Sequence, residues 1–148
     1  YLMIKIERLI KEDIPQVVLL EEQFLGETLG TEMFENEINN ESICFLTAKD
    51  NQKVLGYIGA YVVAGDLEIL NFVVDEQFQR TGIGTLLLDE LLNKYPDATT
   101  VVLEVREQNE KGINFYKKNN FNVISKRKHY YKNGDNALVM MKEIKWLY

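Results

Sequence analysis

The stretch from Leu70 to Thr85 constrains the fold more than any other part of the sequence. It joins an apolar run with strand character to a Gln-Arg-Thr-Gly-Ile-Gly loop, residues 79–84, and then to a helix predicted over Thr81–Tyr95. Glycines let a backbone approach a ligand closely, and the first turn of a helix presents N–H groups without helical partners. With Arg80 as a charged donor, this strand–loop–helix unit predicts a phosphate site.

Three phosphate-binding motifs compete for this loop. The P-loop requires a lysine where this chain has Thr85, and the dinucleotide fingerprint requires a third glycine where it has Leu87. The remaining pattern, Gln/Arg-x-x-Gly-x-Gly, resembles that of the acetyl-CoA-dependent N-acetyltransferases of the GNAT superfamily. The resemblance implies that the acetyl-CoA pyrophosphate is bound by Arg80, Thr81, Gly82, Ile83, Gly84 and Thr85. The alternative is a glycine-rich loop that only turns the chain.

The complete set of elements has the order β-α-α-β-β-β-α-β-α-β-β. Asp13 caps the first helix, Gly26 ends it, and Asn133-Gly134 turns the last hairpin. The other predicted bounds are Met3–Leu9, Thr31–Asn39, Ser42–Ala48, Val54–Val63, Asp66–Asp75, Thr100–Arg106, Asn109–Asn119, Phe121–Tyr131 and Ala137–Ile144. This order predicts an α/β (mixed α+β) protein, a single domain over residues 1–148 with a central mixed sheet flanked by helices. The resemblance implies the GNAT acyl-CoA N-acyltransferase fold.

The second half of the chain resembles one branch of that superfamily, the ribosomal-protein-alanine N-acetyltransferase (RimI) family. The similar residues are the Leu-Glu-Val-Arg run at 103–106, Asn109, Tyr116 and the His-Tyr-Tyr run at 129–131. Asn120 stands where glycine is usual, a mild departure because asparagine tolerates the left-handed conformation of a helix end. The resemblance implies that protein N-termini are the acceptors and that Asn109 hydrogen-bonds the cofactor.

Glu104 is the candidate general base. A protein α-amine has a reference pKa of about 7.7–8.0 against about 10.4 for lysine, so an N-terminal acetyltransferase needs only modest help from a base. Val102, Glu104 and Arg106 share one face of their strand, which lets Glu104 face a cleft. The RimI-like context implies that Glu104 acts through a water. Glu68 is the rival base, and a solvated carboxylate or an ion pair with Arg106 is the structural alternative.

Tyr116 is the candidate general acid, as the resemblance implies. The leaving thiolate has a pKa near that of cysteine, about 8.5, so a phenol with a pKa of about 10 can protonate it. The alternative is ordinary ring packing beside Phe115 and Phe121. A backbone N–H near Phe72, Val73 and Val74, at the end of their strand, would bind the oxyanion. Cys44 lies between Ile43 and Phe45, which indicates a core position rather than a nucleophile.

The segment from Gly26 to Phe34 bears on the acceptor. Enzymes of the RimI type often carry a Phe-Pro-Trp-like stretch there, whereas this chain has Glu-Thr-Leu-Gly-Thr at 27–31, which leaves alanine specificity open. One alternative acceptor is a small amine, such as a polyamine or an aminoglycoside. Another alternative is an acyl-CoA-binding module without turnover, against which the presence of both Glu104 and Tyr116 argues.

The composition excludes several classes of protein. With 17 Lys+Arg against 23 Asp+Glu the net charge is −6, which argues against direct nucleic-acid binding and suits an amine-bearing partner. One cysteine and one histidine exclude a disulfide framework and a cysteine-rich or multi-histidine metal site. No apolar run reaches membrane-spanning length and no signal peptide opens the chain, so we expect a cytoplasmic protein. The oligomeric state is not predicted.

Overall fold

The computed structural model describes residues 3–144, which divide into two compact units. The first unit contains the described residues up to Val62 together with Leu70–Pro96, and the second contains Val63–Ile69 and the described residues from Asp97 onward. The helices are α1 (Ile14–Phe24), α2 (Thr31–Glu37), α3 (Ile83–Lys94) and α4 (Glu110–Lys118). The strands are β1 (Ile4–Arg8), β2 (Ile43–Asp50), β3 (Lys53–Val63), β4 (Asp66–Val74), β5 (Thr100–Arg106), β6 (Asn122–Arg127) and β7 (Ala137–Glu143). A single domain over residues 1–148 remains a prediction.

The strands form the mixed sheet that the element order predicts. In the first unit the neighbours are β1-β2-β3 followed by the second half of β4, and β1–β2 and β2–β3 are antiparallel. In the second unit the order is the first half of β4, then β5, β7 and β6. The β4–β5 register is parallel and pairs Asp66 with Thr100 and Glu68 with Val102. The β5–β7 and β6–β7 pairs are antiparallel.

The core of the first unit forms where the apolar face of α1 meets β2 and β3. It consists of Leu9, Ile14, Val17, Leu20, Phe34, Ile43, Phe45, Val54, Tyr57 and Val73. The helical period of the apolar residues puts Glu21 on the polar side of α1 or its edge, and that expectation is wrong, because Glu21 has no exposed surface. Asp13 precedes α1 as predicted, but its side chain does not cap the helix. It accepts a hydrogen bond from the Ile10 backbone and forms a buried ion pair with Lys49 at 2.7 Å.

Helix α3 buries a stripe of five residues, namely Ile83, Leu87, Leu88, Leu91 and Leu92. Leu86 is 46% exposed, because it lies outside the stripe that the 3.6-residue period draws through Ile83, Leu87 and Leu91. No helix among residues 3–144 is long and apolar enough to cross a membrane.

In the second unit, β5 alternates between buried and partly exposed residues, with Val101, Leu103 and Val105 inward. The predicted β6–β7 hairpin is confirmed, and the chain turns at Asn133-Gly134, where the Gly134 N–H donates to the Tyr131 carbonyl at 2.9 Å. The connection is longer than predicted, residues 128–136, because β6 ends at Arg127 rather than at Tyr131. Gly134 has a φ of 90° within this longer loop.

Candidate active site

The start of α3 has the geometry of an anion site. Gly82 is its N-cap with a φ of 89°, and no side chain caps the helix. Arg80, exposed, also has a positive φ of 66°. Ile83 is 2% exposed and directs its side chain into the core, so only its backbone is available to a ligand. A helix N-terminus without a side-chain cap, beside an arginine, fits a pyrophosphate.

The end of β4 lies close to β3. A Cβ atom added to Gly56 of β3 would lie 2.8 Å from the Val73 carbonyl oxygen and 3.1 Å from the Val74 Cα atom. Val73 is buried, whereas Phe72 and Val74 are partly exposed. The close approach of β3 fixes the backbone of Phe72–Val74. The predicted oxyanion role uses the backbone N–H groups of that same segment.

Glu104 lies on the partly exposed face of β5, as predicted. Its side chain is 24% exposed, and its Oε1 atom is 3.2 Å from the Nε atom of Arg127. Its partners therefore include Arg127 on β6, while Arg106 forms an ion pair with Asp135 at 3.2 Å. A hydrogen bond to Glu104, followed by the negative charge of that carboxylate, raises the pKa of Tyr130, which therefore remains a donor.

Glu68, the rival base, also influences the pKa of the Tyr130 phenol. Its charge contributes to the raised pKa of Tyr130, after the larger effects of Glu104. Glu68 is paired in register with Val102, two residues before Glu104 on β5. The structure thus brings both candidate bases near Tyr130 and leaves both available for the role.

Tyr116 lies on α4 in an aromatic cluster. Its ring makes edge contacts with Phe115 and Phe121, each at a centroid distance of 5.5 Å. Burial of the hydroxyl, and secondarily the neighbouring Tyr131, raise the pKa of Tyr116. The phenol therefore stays protonated at neutral pH, and its burial makes it a weaker acid than an exposed tyrosine.

The β6–β7 loop is organised by Arg106, a residue whose role sequence reasoning missed. The Arg106 guanidinium lies 3.8 Å from the ring centroid of Tyr131, and its Nη1 atom donates to Asn133 and Asp135, both at 3.2 Å. The same loop carries Tyr130. The sequence signal for this role was the position of Arg106, two residues after Glu104 and on the same face of β5.

Asn109 caps α4. Its Oδ1 atom accepts a hydrogen bond from the Gly112 backbone at 3.0 Å. The Nδ2 group takes no part in that bond. Asn109 therefore combines a structural role in the helix with an amide donor that a ligand could use.

Comparison with known proteins gives consistent similarities. The acetyltransferase (GNAT) family profile matches residues 7–121. The chain is 31% identical over 143 residues to an N-alpha-acetyltransferase of Sulfolobus acidocaldarius, which covers 86% of this chain and 85% of that one. The crystal structure of the ribosomal-protein-S18-alanine N-acetyltransferase from Escherichia coli matches with a TM-score of 0.86 at 26% identity, covering 99% of this chain and 97% of that one. The fold is shared with a PaiA N-acetyltransferase from Thermoplasma acidophilum in complex with coenzyme A (TM-score 0.80, 24% identity, covering 96% and 99%).

Proposed function

Because this chain belongs to the acetyltransferase (GNAT) family and is an N-acetyltransferase, we propose that it transfers an acetyl group from acetyl-CoA to a protein N-terminal α-amine. The similarity to an N-alpha-acetyltransferase over 86% of the chain carries this proposal. A ribosomal-protein N-terminus is the acceptor class that the RimI-type neighbour suggests. The corresponding location is the cytoplasm.

Acetyl-CoA supplies an activated thioester. The residues assigned to its pyrophosphate are Arg80 and the backbone at the start of α3, through Thr81, Gly82, Ile83, Gly84 and Thr85. The uncapped helix start supports this assignment. The backbone of Phe72–Val74 is assigned to the thioester oxygen, and the Asn109 amide to a hydrogen bond with the cofactor. The backbone N–H groups of Phe72–Val74 would stabilise the negative charge that develops on the thioester oxygen during attack.

Glu104 is assigned as the base that accepts the amine proton, through a water. Roughly a tenth of α-amines are neutral at pH 7, so the base has only to remove the proton that remains after attack. Glu68 is the alternative because it acts on the same Tyr130 phenol. The amine attacks the thioester directly, since the only cysteine, Cys44, is 2% exposed and burial raises the pKa of its thiol.

Tyr116 is assigned as the acid. The amine nitrogen adds to the thioester carbonyl to form the new N–C bond, and when the resulting oxyanion collapses the C–S bond breaks and its electron pair goes to sulfur. The Tyr116 proton then neutralises the thiolate, and solvent restores the phenol. The raised pKa of Tyr116 keeps the phenol protonated before the reaction, but it also makes proton transfer to the less basic thiolate less favourable, so departure of the coenzyme A thiol has to draw that transfer forward.

The test is acetyl-CoA-dependent mass gain on peptides that begin with Ala, Ser, Met or Gly. Spermidine and a peptide with an internal lysine and a blocked N-terminus serve as comparison acceptors. Gain at free N-termini only is the expected result, and its ranking gives the specificity. Gain only on spermidine or lysine would refute the α-amine acceptor, and bound CoA without any gain would favour the non-catalytic module.

A small amine is the second candidate acceptor. The net charge of −6 suits a polyamine, and residues 27–31 lack the Phe-Pro-Trp-like stretch of many RimI-type enzymes. The spermidine arm of the same experiment tests this candidate.

A further inference from the structure

Glu21 is a buried carboxylate that receives four hydrogen bonds. Its Oε1 atom accepts from the Thr28 hydroxyl at 2.6 Å and from the Leu29 backbone N–H at 3.2 Å. Its Oε2 atom accepts from the Tyr57 hydroxyl at 2.5 Å and from Asn71 Nδ2 at 2.6 Å. Glu21 and Tyr57 have no exposed surface. One side chain of α1 therefore joins the α1–α2 connection, β3 and β4.

The four donors are what permit this burial. A carboxylate removed from water without partners is destabilised by several kcal/mol, and hydrogen bonds to both oxygens offset that cost. None of the four donors carries a charge, so dipoles rather than a salt bridge solvate Glu21. Burial, followed by the charge of Glu21, raises the pKa of Tyr57, which keeps the Tyr57 hydroxyl a donor.

We infer that Glu21 is a positioning residue for the acyl-binding segment Phe72–Val74, an inference that rests on the proposed function. Asn71, which Glu21 holds, directly precedes Phe72 on β4. On the following side, the Asp75 backbone N–H donates to the Leu55 carbonyl at 2.8 Å. The segment is therefore fixed at both ends, at one by β3 and at the other by the buried carboxylate. The same carboxylate fixes the α1–α2 connection through Thr28 and Leu29.

Glu21→Gln tests this role because a glutamine amide has one oxygen that accepts hydrogen bonds, whereas both oxygens of Glu21 accept them. The Leu29 backbone N–H cannot become an acceptor, so the amide oxygen stays on that side and the NH₂ group faces Tyr57 and Asn71. The Tyr57 hydroxyl can rotate to accept a hydrogen bond. Asn71 must turn its amide over, which moves the contact that fixes β4.

Asp13→Asn is the matched control. Asp13 is a second buried carboxylate of the same unit, 4% exposed, but its partners are Lys49 and the Ile10 backbone rather than β4. Both variants exchange a buried carboxylate for an amide of the same shape. Asn71→Ala, which removes only the link to β4, replaces Glu21→Gln if that variant does not fold.

The experiment measures kcat, both KM values, Tm, and amide hydrogen exchange at residues 28–30 and 71–74. We expect Glu21→Gln to lower kcat by about tenfold or more, the scale of a displaced reacting group, and to speed exchange at 71–74. Asp13→Asn should lower Tm without either effect. An unchanged kcat in Glu21→Gln would overturn the inference. So would a loss of kcat in both variants that is fully explained by the smaller fraction of folded protein. If the wild-type enzyme acetylates only a small amine, the proposed acceptor fails, and the same two variants assayed with that amine still decide the role of Glu21.

Discussion

Replacing Arg106 should lower turnover by releasing the loop that carries Tyr130, whose hydroxyl is hydrogen-bonded to the assigned base Glu104. Arg106 stacks on Tyr131 at 3.8 Å and pairs with Asp135 at 3.2 Å, where the two side chains are 32% and 30% exposed. A partly exposed cation–π contact contributes about 0.5–1 kcal/mol and a partly exposed ion pair about the same. Arg106→Gln should therefore destabilise the protein by about 1–2 kcal/mol, which corresponds to a fall in Tm of about 3–8 °C for a chain of this size.

The effect on kcat should exceed this change in stability. Displacing groups by about 1 Å at a reacting centre can reduce rates by about a hundredfold, so a tenfold or larger loss of kcat at a temperature where the variant is folded is expected. Arg106→Lys keeps the charge but loses the planar stack, and should fall between wild type and Arg106→Gln. Calorimetry and steady-state kinetics measure the two effects.

Lys126→Gln is the control for Arg106. It removes another ion pair of the same unit, with Glu107 at 2.5 Å, that involves no tyrosine. We expect kcat to stay at its wild-type value in this variant. Wild-type kcat in a folded Arg106→Gln enzyme, or an equal loss in Lys126→Gln, would refute the reasoning.

Three other predictions concern the remaining assigned groups. Glu104→Gln should leave acetyl-CoA affinity intact and reduce kcat, most at low pH where fewer amines are neutral; an unchanged pH–rate profile would transfer the base role to Glu68. Tyr116→Phe should lower kcat by roughly a hundredfold, the scale of a general acid, and full activity would reduce Tyr116 to packing. Gly56→Ala should destabilise the protein by about 1–3 kcal/mol because its Cβ would lie 2.8 Å from the Val73 carbonyl, which denaturant unfolding would measure. Unchanged stability would show that β3 and β4 separate without cost.

Local patterns predicted the parts of the fold that depend on near neighbours. The alternation of β5 and the helix after the glycine loop follow from residues within a few positions, and both are confirmed, although α3 begins at Ile83 rather than at the predicted Thr81. The predicted GNAT fold and RimI resemblance are also confirmed, by the family match over residues 7–121 and the 0.86 TM-score. The roles of Glu104 and Tyr116 remain predictions.

The expectations that failed depended on distant partners. Glu21 was placed on the polar side of α1 or its edge by the helical period of the apolar residues, and its partner Asn71 lies 50 positions away. Asp13 was expected to cap α1, whereas Lys49 on β2 takes its carboxylate. The strand predicted to run to Tyr131 ends at Arg127, and the Tyr131 ring and the Asp135 carboxylate of the connection instead contact Arg106 of β5. No short-range pattern contains these pairings.

The burial of Cys44 makes the chain well suited to site-specific labelling. It is the only cysteine of the sequence, and a thiol that is 2% exposed with a raised pKa reacts slowly with maleimides. A cysteine introduced at Glu22, on the exposed side of α1, would therefore carry a fluorophore as the single reactive thiol. Such a probe would report movement of the α1–α2 connection in real time as each substrate binds, without first removing a native cysteine.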